Sequence, residues 1–157
     1  MAEQVVPGFG VIAADFVVIR QTNQSYTFQE NKTSLNVRND LLSQAYYIRL
    51  DGGFFPEGDA CDYCGSALVG GDSQGFLLEL KGSHEKDAPE QLAKTLKRLN
   101  EHPDVSVHFH TTIVVSCGAA LMPSEKFQKQ QKSFLKQNHI PLKRLKSGSQ
   151  QKLSVLF

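Results

Sequence analysis

Phe76-Leu77-Leu78-Glu79-Leu80-Lys81-Gly82-Ser83 is the stretch that decides how this chain is read. Phe76, Leu77, Leu78 and Leu80 predict a buried strand, closed by Gly82-Ser83. Glu79 and Lys81 interrupt it two residues apart, so both side chains leave the strand on one face. A carboxylate and an ammonium are costly to bury without a partner or a task.

Upstream of that strand, Gly70-Gly71-Asp72 predicts a tight turn back to a strand over residues 60–69. Tyr46-Tyr47-Ile48-Arg49-Leu50 reads as another strand, ended by Asp51-Gly52-Gly53 and followed by a loop over 54–59. The three strands make an antiparallel meander. Ser34, as an N-cap, with Leu35, Leu41, Leu42 and Ala45 on one face, predicts a helix before the meander. Residues 11–20 are rich in valine and isoleucine and suit a strand, but residues 1–33 carry no chemistry that can be named.

Downstream, residues 84–100 carry the strongest helix signal, with Pro89 in the first turn and Leu92, Leu96 and Leu99 on one face. His102-Pro103 ends that helix, and residues 105–116 form a fourth strand closed by Gly118. Residues 124–138 read as a polar helix anchored by Phe127, Phe134 and Leu135, and residues 153–157 as an edge strand. The expected fold is α/β: a mixed central sheet with a helix–three-strand meander–helix–strand core over 34–116, flanked by helices. Residues 1–157 form a single domain in this reading, with a basic C-terminal helix and tail over 124–157.

The composition is that of a soluble globular chain, 40% hydrophobic and 21% charged. It has no apolar run long enough to span a bilayer and no basic segment before the apolar part of its N-terminus, so cytoplasm is the default expectation and a membrane partner is not indicated. Cys61, Cys64 and Cys117 make an odd count that argues against a disulfide framework. Cys61 and Cys64 have the spacing of a zinc half-site, but buried reduced thiols are the simpler account. Charge is unevenly spread. Residues 126–157 hold eight basic residues (Lys126, Lys129, Lys132, Lys136, Lys143, Arg144, Lys146 and Lys152) and no acidic one, which leaves a net of −7 on residues 1–125. Such asymmetry suits a polyanion on one side of the protein, or simply a solvated helix face and an exposed end.

Asp62 lies in the strand before Glu79 and Lys81, so pairing through the intervening turn brings the two carboxylates together. Two carboxylates suit a hard divalent cation such as Mg²⁺. The lysine can orient an attacking water or stabilise charge on a phosphate, and Gln91 on the following helix can reach the same place. Each residue also has a plain reading: Glu79 and Lys81 as an ion pair on a solvated face, Asp62 as an exposed strand start, Gln91 as a helix-surface amide. His108 and His110 share a strand face that suits a solvated edge more than a cleft. Ser83 and His84 fall where the next helix begins, with Ser83 as a cap.

Asp62, the turn, Glu79-Leu80-Lys81 and Gln91, in this order of elements, resemble the PD-(D/E)xK nuclease superfamily, its restriction-endonuclease-like and Holliday-junction-resolvase-like members in particular. The resemblance covers about half of the chain. It implies Asp62 and Glu79 as ligands of Mg²⁺ (with Mn²⁺ as a substitute), Lys81 as the catalytic lysine, Gln91 as the helix glutamine of some branches, and hydrolysis of phosphodiester bonds. The chain departs from the pattern in having Cys61 rather than proline before the first acid. For an acid on the first helix it offers only Asp40 or Glu30, and it shows no separate DNA-reading domain.

A nuclease of this kind needs phosphate contacts away from the scissile bond. Lys129, Lys132 and Lys136 recur on one helical face, and with Lys143, Arg144 and Lys146 they can follow a backbone. The absence of interleaved aromatics fits duplex or branched DNA better than single strands. The expected activity is that of a metal-dependent endo- or exodeoxyribonuclease, with a homodimer supplying further binding surface. The alternatives are an inactive nuclease fold serving as an accessory subunit of a defence or repair complex, and the same chemistry on RNA.

Overall fold

The computed structural model describes residues 2–82, 87–117 and 124–157. In chain order its elements are β1 (Glu3–Val6), β2 (Gly10–Ala13), β3 (Val17–Arg20), β4 (Ser25–Glu30), β5 (Thr33–Arg38), β6 (Ala45–Arg49), β7 (Tyr63–Val69), β8 (Asp72–Gly82), α1 (Ala88–Glu101), β9 (His108–Ser116), α2 (Ser124–Asn138), β10 (Leu142–Lys146) and β11 (Ser149–Lys152). Short 3-10 turns occupy Ala14–Phe16 and Leu153–Leu156.

Six strands form the central sheet in the order β10-β9-β8-β7-β6-β3. The meander β6-β7-β8 is antiparallel, as its turn signals predict. Gly70 and Gly71 both adopt positive φ (63° and 89°) between Val69 and Asp72, a two-residue hairpin loop that only glycine enters without strain. From β8 the chain crosses through α1 to β9 and then through α2 to β10, both added parallel to their neighbours. The sheet is therefore mixed and the fold α/β.

Alternation along β8 explains its position. Phe76, Leu78 and Leu80 face one side, where they pack with Ile113 and Val115 of β9. Leu77 faces the other side, with Val114 and the inner faces of the helices: Leu92, Leu96 and Leu99 of α1, Phe127 and Phe134 of α2. A strand buried on both faces reads as a near-continuous apolar run, which is what the sequence shows.

The layer opposite the helices is a second sheet, in the order β11-β5-β4. Here the expected first helix is replaced. Ser34 and the four residues after it belong to β5, in which Thr33, Leu35 and Val37 are buried and the residues between them are not, a strict period of two. Ser34 is no N-cap, and Leu42, assigned to the same helical face as Leu35, is 99% exposed. The two-residue turn Asn31-Lys32, with Asn31 at φ 53°, closes the β4–β5 hairpin. Phe28, Leu35, Val37, Leu153 and Leu156 pack beneath the central sheet.

Smaller expectations also change. Residues 11–20 divide into β2 and β3, and the strand expected over 60–69 begins at Tyr63. Leu135 is half exposed and anchors nothing, whereas Phe127 and Phe134 are buried as expected. The residues expected as a basic tail are built into the fold: β10 is a strand of the central sheet, β11 pairs with β5, and Leu153–Leu156 is a 3-10 turn rather than an edge strand. Ser83, His84 and Gly118 lie outside the described residues.

Candidate active site

The parallel strands β8, β9 and β10 end together, and the antiparallel β7 begins at that same end of the sheet. Tyr63 pairs with Leu78, so Asp62, one residue earlier, stands opposite Glu79. Asp62 is fastened from both sides: its carbonyl accepts from the Leu50 amide at 2.9 Å and its Oδ2 from the Leu80 amide at 2.8 Å. The ladder stops there, and the Asp62 side chain takes the place of a backbone acceptor. Both carboxylates thus come from positions set by strand register.

Glu79 alternates with Leu78 and Leu80 and so points to the helical face, where only 3% of its surface is exposed. Burial, then the hydrogen bond that the protonated Glu79 carboxyl donates to Asp62, then the Asp62 charge raise its carboxyl well above the ordinary carboxylate range; Lys81 opposes this and Asp51 adds to it. Its Oε2 is buried with no hydrogen-bond partner among the described residues. Lys81, two residues on, holds its Nζ 3.9 Å from that oxygen, close enough to attract it but too far for a hydrogen bond. An ion pair on a solvated face, the plain reading of Glu79 and Lys81, does not describe so buried a carboxylate.

Gln91 lies in the first turn of α1, which packs against β8 and β9. Its carbonyl accepts from Thr95 Oγ1 at 2.8 Å, and the same Oγ1 accepts from the Cys61 amide at 2.8 Å. The helix turn bearing Gln91 is thereby tied to the residue before Asp62. Thr95 is a group that sequence reading passed over. Its signal is a lone hydroxyl in the apolar stripe Leu92, Leu96, Leu99, four residues after Gln91. Asp51, whose charge is felt at Glu79, shows in the sequence only as part of a turn.

Other candidates are elsewhere. Asp40 binds Ser154 through its backbone amide at 2.9 Å and its hydroxyl, and Glu30 accepts from Tyr63 Oη at 2.8 Å beside Arg49. His108 and His110 are exposed at the opposite end of β9, where His110 contacts Gln74. Cys61 and Cys64 are buried free thiols, pushed up in pKa chiefly by desolvation. No group of three or more His, Cys, Asp or Glu suited to a metal occurs among the described residues.

The six basic residues do not make one surface. Lys129, Lys132 and Lys136 are exposed on α2, away from its buried Phe127 and Phe134. Arg144 lies under that helix with its guanidinium 4.4 Å from the Phe127 ring centre. Lys143 alternates to the other face of β10, and Lys146 is exposed, level with Ser116 and Gly82 at the carboxylate end of the sheet. A groove of about 980 Å³ between α1 and α2, lined in part by Leu96, Gln130 and Phe134, includes none of Asp62, Glu79 and Lys81.

The carboxylate pair fits Mg²⁺, which commonly takes one or two protein carboxylates and keeps several waters. A buried oxygen without a partner, on a group that burial and a neighbouring carboxylate hold protonated, is the local imbalance a divalent cation relieves. Among the described residues, no helix is long and apolar enough to cross a membrane. No protein-family model, curated protein or solved structure matches this chain.

Proposed function

We propose that the protein is a Mg²⁺-dependent nuclease that hydrolyses DNA phosphodiester bonds. The observation that carries this reading is the Asp62–Glu79 pair, with the unsatisfied Glu79 Oε2 and the Lys81 ammonium beside it, at the end of the sheet where parallel strands finish. Open α/β sheets take their ligands outside the carboxyl ends of the strands.

Asp62 and Glu79 hold the ion in this reading. The chemistry that a bound Mg²⁺ supplies is polarisation of a phosphoryl oxygen and neutralisation of charge as the ester is cleaved. Asp62 is oriented by the Leu80 amide, leaving its second oxygen for the ion. Lys81, partly exposed and anchored electrostatically by Glu79, orients the attacking water and stabilises negative charge growing on the phosphate. Gln91 presents an amide from the first turn of α1 to hold that water or a phosphate oxygen. In this reading Lys146 and the α2 lysines supply backbone contacts, with affinity that falls as salt rises.

Calorimetric titration of Mg²⁺ into wild type and Asp62→Ala, followed by incubation with plasmid and branched DNA, tests the reading. Binding and nicking that are both lost in the variant support it, and nicking that survives Asp62→Ala overturns it. A second reading, an inactive nuclease fold in an accessory role, draws on one observation: a three-stranded sheet stands where the resemblance calls for a helix. Absence of Mg²⁺ binding by wild type would favour that reading.

A further inference from the structure

Resting on the reading of Asp62, Glu79 and Gln91 as one site, we propose that Thr95 is its positioning residue, whose single hydroxyl sets the strand entry bearing Asp62 against the helix turn bearing Gln91.

Thr95 is fully buried, in a helix face otherwise made of Leu92, Leu96 and Leu99. Its Oγ1 accepts from the Cys61 amide and donates to the Gln91 carbonyl, each at 2.8 Å, so its donor and one acceptor position are in use. Cys61 precedes β7 and is itself fully buried, so its amide has neither a ladder bond nor water. The neighbouring ties on Asp62, from Leu50 and Leu80, come from strands β6 and β8 or their ends, within the sheet. The Thr95 tie comes from the helical layer, and so it relates the two layers between which the site lies.

A hydroxyl is an unexpected choice for so buried a helix position. A threonine bonded to the carbonyl four residues back tends to bend its helix slightly, and an alanine or valine would fill the stripe without that cost. The bond to Cys61 accounts for it. Loss of the hydroxyl leaves the Cys61 amide unpaired in the core and lets the residue before Asp62 shift toward another acceptor. Groups that hold metal ligands in place act in this way, and their removal typically weakens metal affinity or activity by about 10- to 100-fold.

The test compares wild type, Thr95→Val and Thr95→Ser. Valine keeps the shape without the hydrogen bonds, and serine keeps the hydroxyl. The measurements are Mg²⁺ affinity by calorimetry, kcat and KM for plasmid nicking, and the metal-free melting temperature. Thr95→Val is expected to bind Mg²⁺ about 10- to 100-fold more weakly and to lose kcat with little change in KM, and Thr95→Ser to restore both. A Thr95→Val protein that melts lower yet binds Mg²⁺ and turns over like wild type assigns Thr95 to packing alone and overturns the proposal. So does a Thr95→Ser protein as impaired as Thr95→Val. If Thr95→Val does not fold, Thr95→Ala takes its place in the comparison with serine. Failure of wild type itself to bind Mg²⁺ or nick DNA instead brings down the nuclease reading, and this proposal with it.

Discussion

Asp62 stands opposite Glu79 one step past Tyr63–Leu78, the last pair of β7 with β8, and its Oδ2 is fastened to the Leu80 amide at 2.8 Å. A carboxylate fixed by the sheet therefore stands against one buried on the helical face. Replacement of either acid removes half of the proposed ion site. Asp62→Ala and Glu79→Ala are expected to abolish Mg²⁺ binding and nicking, and Lys81→Ala to abolish nicking while Mg²⁺ binding remains. Asp62→Ala also deprives the Leu80 amide of its acceptor, a loss of about 1–3 kcal/mol that urea denaturation measures. Full nicking by Glu79→Ala would remove Glu79 from the site.

Glu79 gives the metal-free protein a definite dependence on pH. Burial and Asp62 raise its carboxyl from 4.5 to about 9 in the folded state. An acid raised by folding stabilises the fold in its protonated form. That stability is fully present below the unfolded value and declines as pH rises through the folded one. Between these two values the unfolded chain has lost the proton and the folded protein keeps it, so each rise in pH favours unfolding. Melts in chelator at pH 5, 7 and 9 are expected to show a steeper fall for wild type than for Glu79→Gln, which carries no such proton. Parallel curves would mean that Glu79 ionises normally.

The same proton predicts a linkage to metal. Near pH 7, Mg²⁺ binding is expected to expel it, and titrations in buffers of different ionisation enthalpy count the protons released. About one proton per ion fits Glu79 as the ligand that must be discharged. None would place the ion elsewhere.

The juxtaposition of Asp62 and Glu79 was legible because it follows from local rules. A two-residue turn at Gly70-Gly71 fixes the register of β7 against β8, and counting back from it pairs Asp62 with Glu79. The second sheet was not legible for the opposite reason. Besides the adjacent β4, β5 pairs with β11, Ser-Gln-Gln-Lys, a polar stretch more than a hundred residues later that carries no strand pattern of its own. Thr95 was hidden likewise, since its role depends on the loop before Asp62 returning to α1. Lys129, Lys132 and Lys136 follow a helical stripe in sequence, but of the residues joined to them Arg144 lies against the Phe127 ring.

Under the proposed nuclease reading, that division of basic residues predicts that binding and catalysis can be separated. Replacing Lys129, Lys132 and Lys136 together by alanine is expected to weaken DNA binding at low salt. It should also reduce the slope of log affinity against log salt by about one for each phosphate that is no longer neutralised, without changing nicking at saturating DNA. Fluorescence anisotropy across a salt series measures both. An unchanged slope would leave α2 as a solvated helix face.

Arg98 holds the loop between β6 and Asp62 at several points, beside the Lys94–Asp59 ion pair and the Thr95–Cys61 bond. Arg98 donates to the carbonyls of Gly58 at 3.1 Å and Asp59 at 2.7 Å, pairs with Glu57, and lies 3.9 Å from the centre of the Phe55 ring. Lysine offers neither the flat stacking surface nor the forked donors. Arg98→Lys is therefore expected to lose most of what Arg98→Ala loses, about 1–3 kcal/mol by urea denaturation. A fully stable Arg98→Lys protein would reduce the clamp to a simple charge contact.

Leu35 and Leu42 give the sharpest test of the fold itself, because a helix and a strand predict opposite outcomes for the pair. On a helix over these residues the two share the buried face, and truncating either should cost about the same. In the structure Leu35 is fully buried between the two sheets and Leu42 is almost fully exposed. Leu35→Ala removes packing atoms and leaves a cavity that the surrounding Phe28, Tyr47 and Phe76 cannot fill without leaving their ring contacts, so a loss of about 2–5 kcal/mol is expected. Leu42→Ala removes nothing that is packed and should stay within about 0.5 kcal/mol of wild type. Equal losses by urea denaturation would restore the helix and displace β5 from the core.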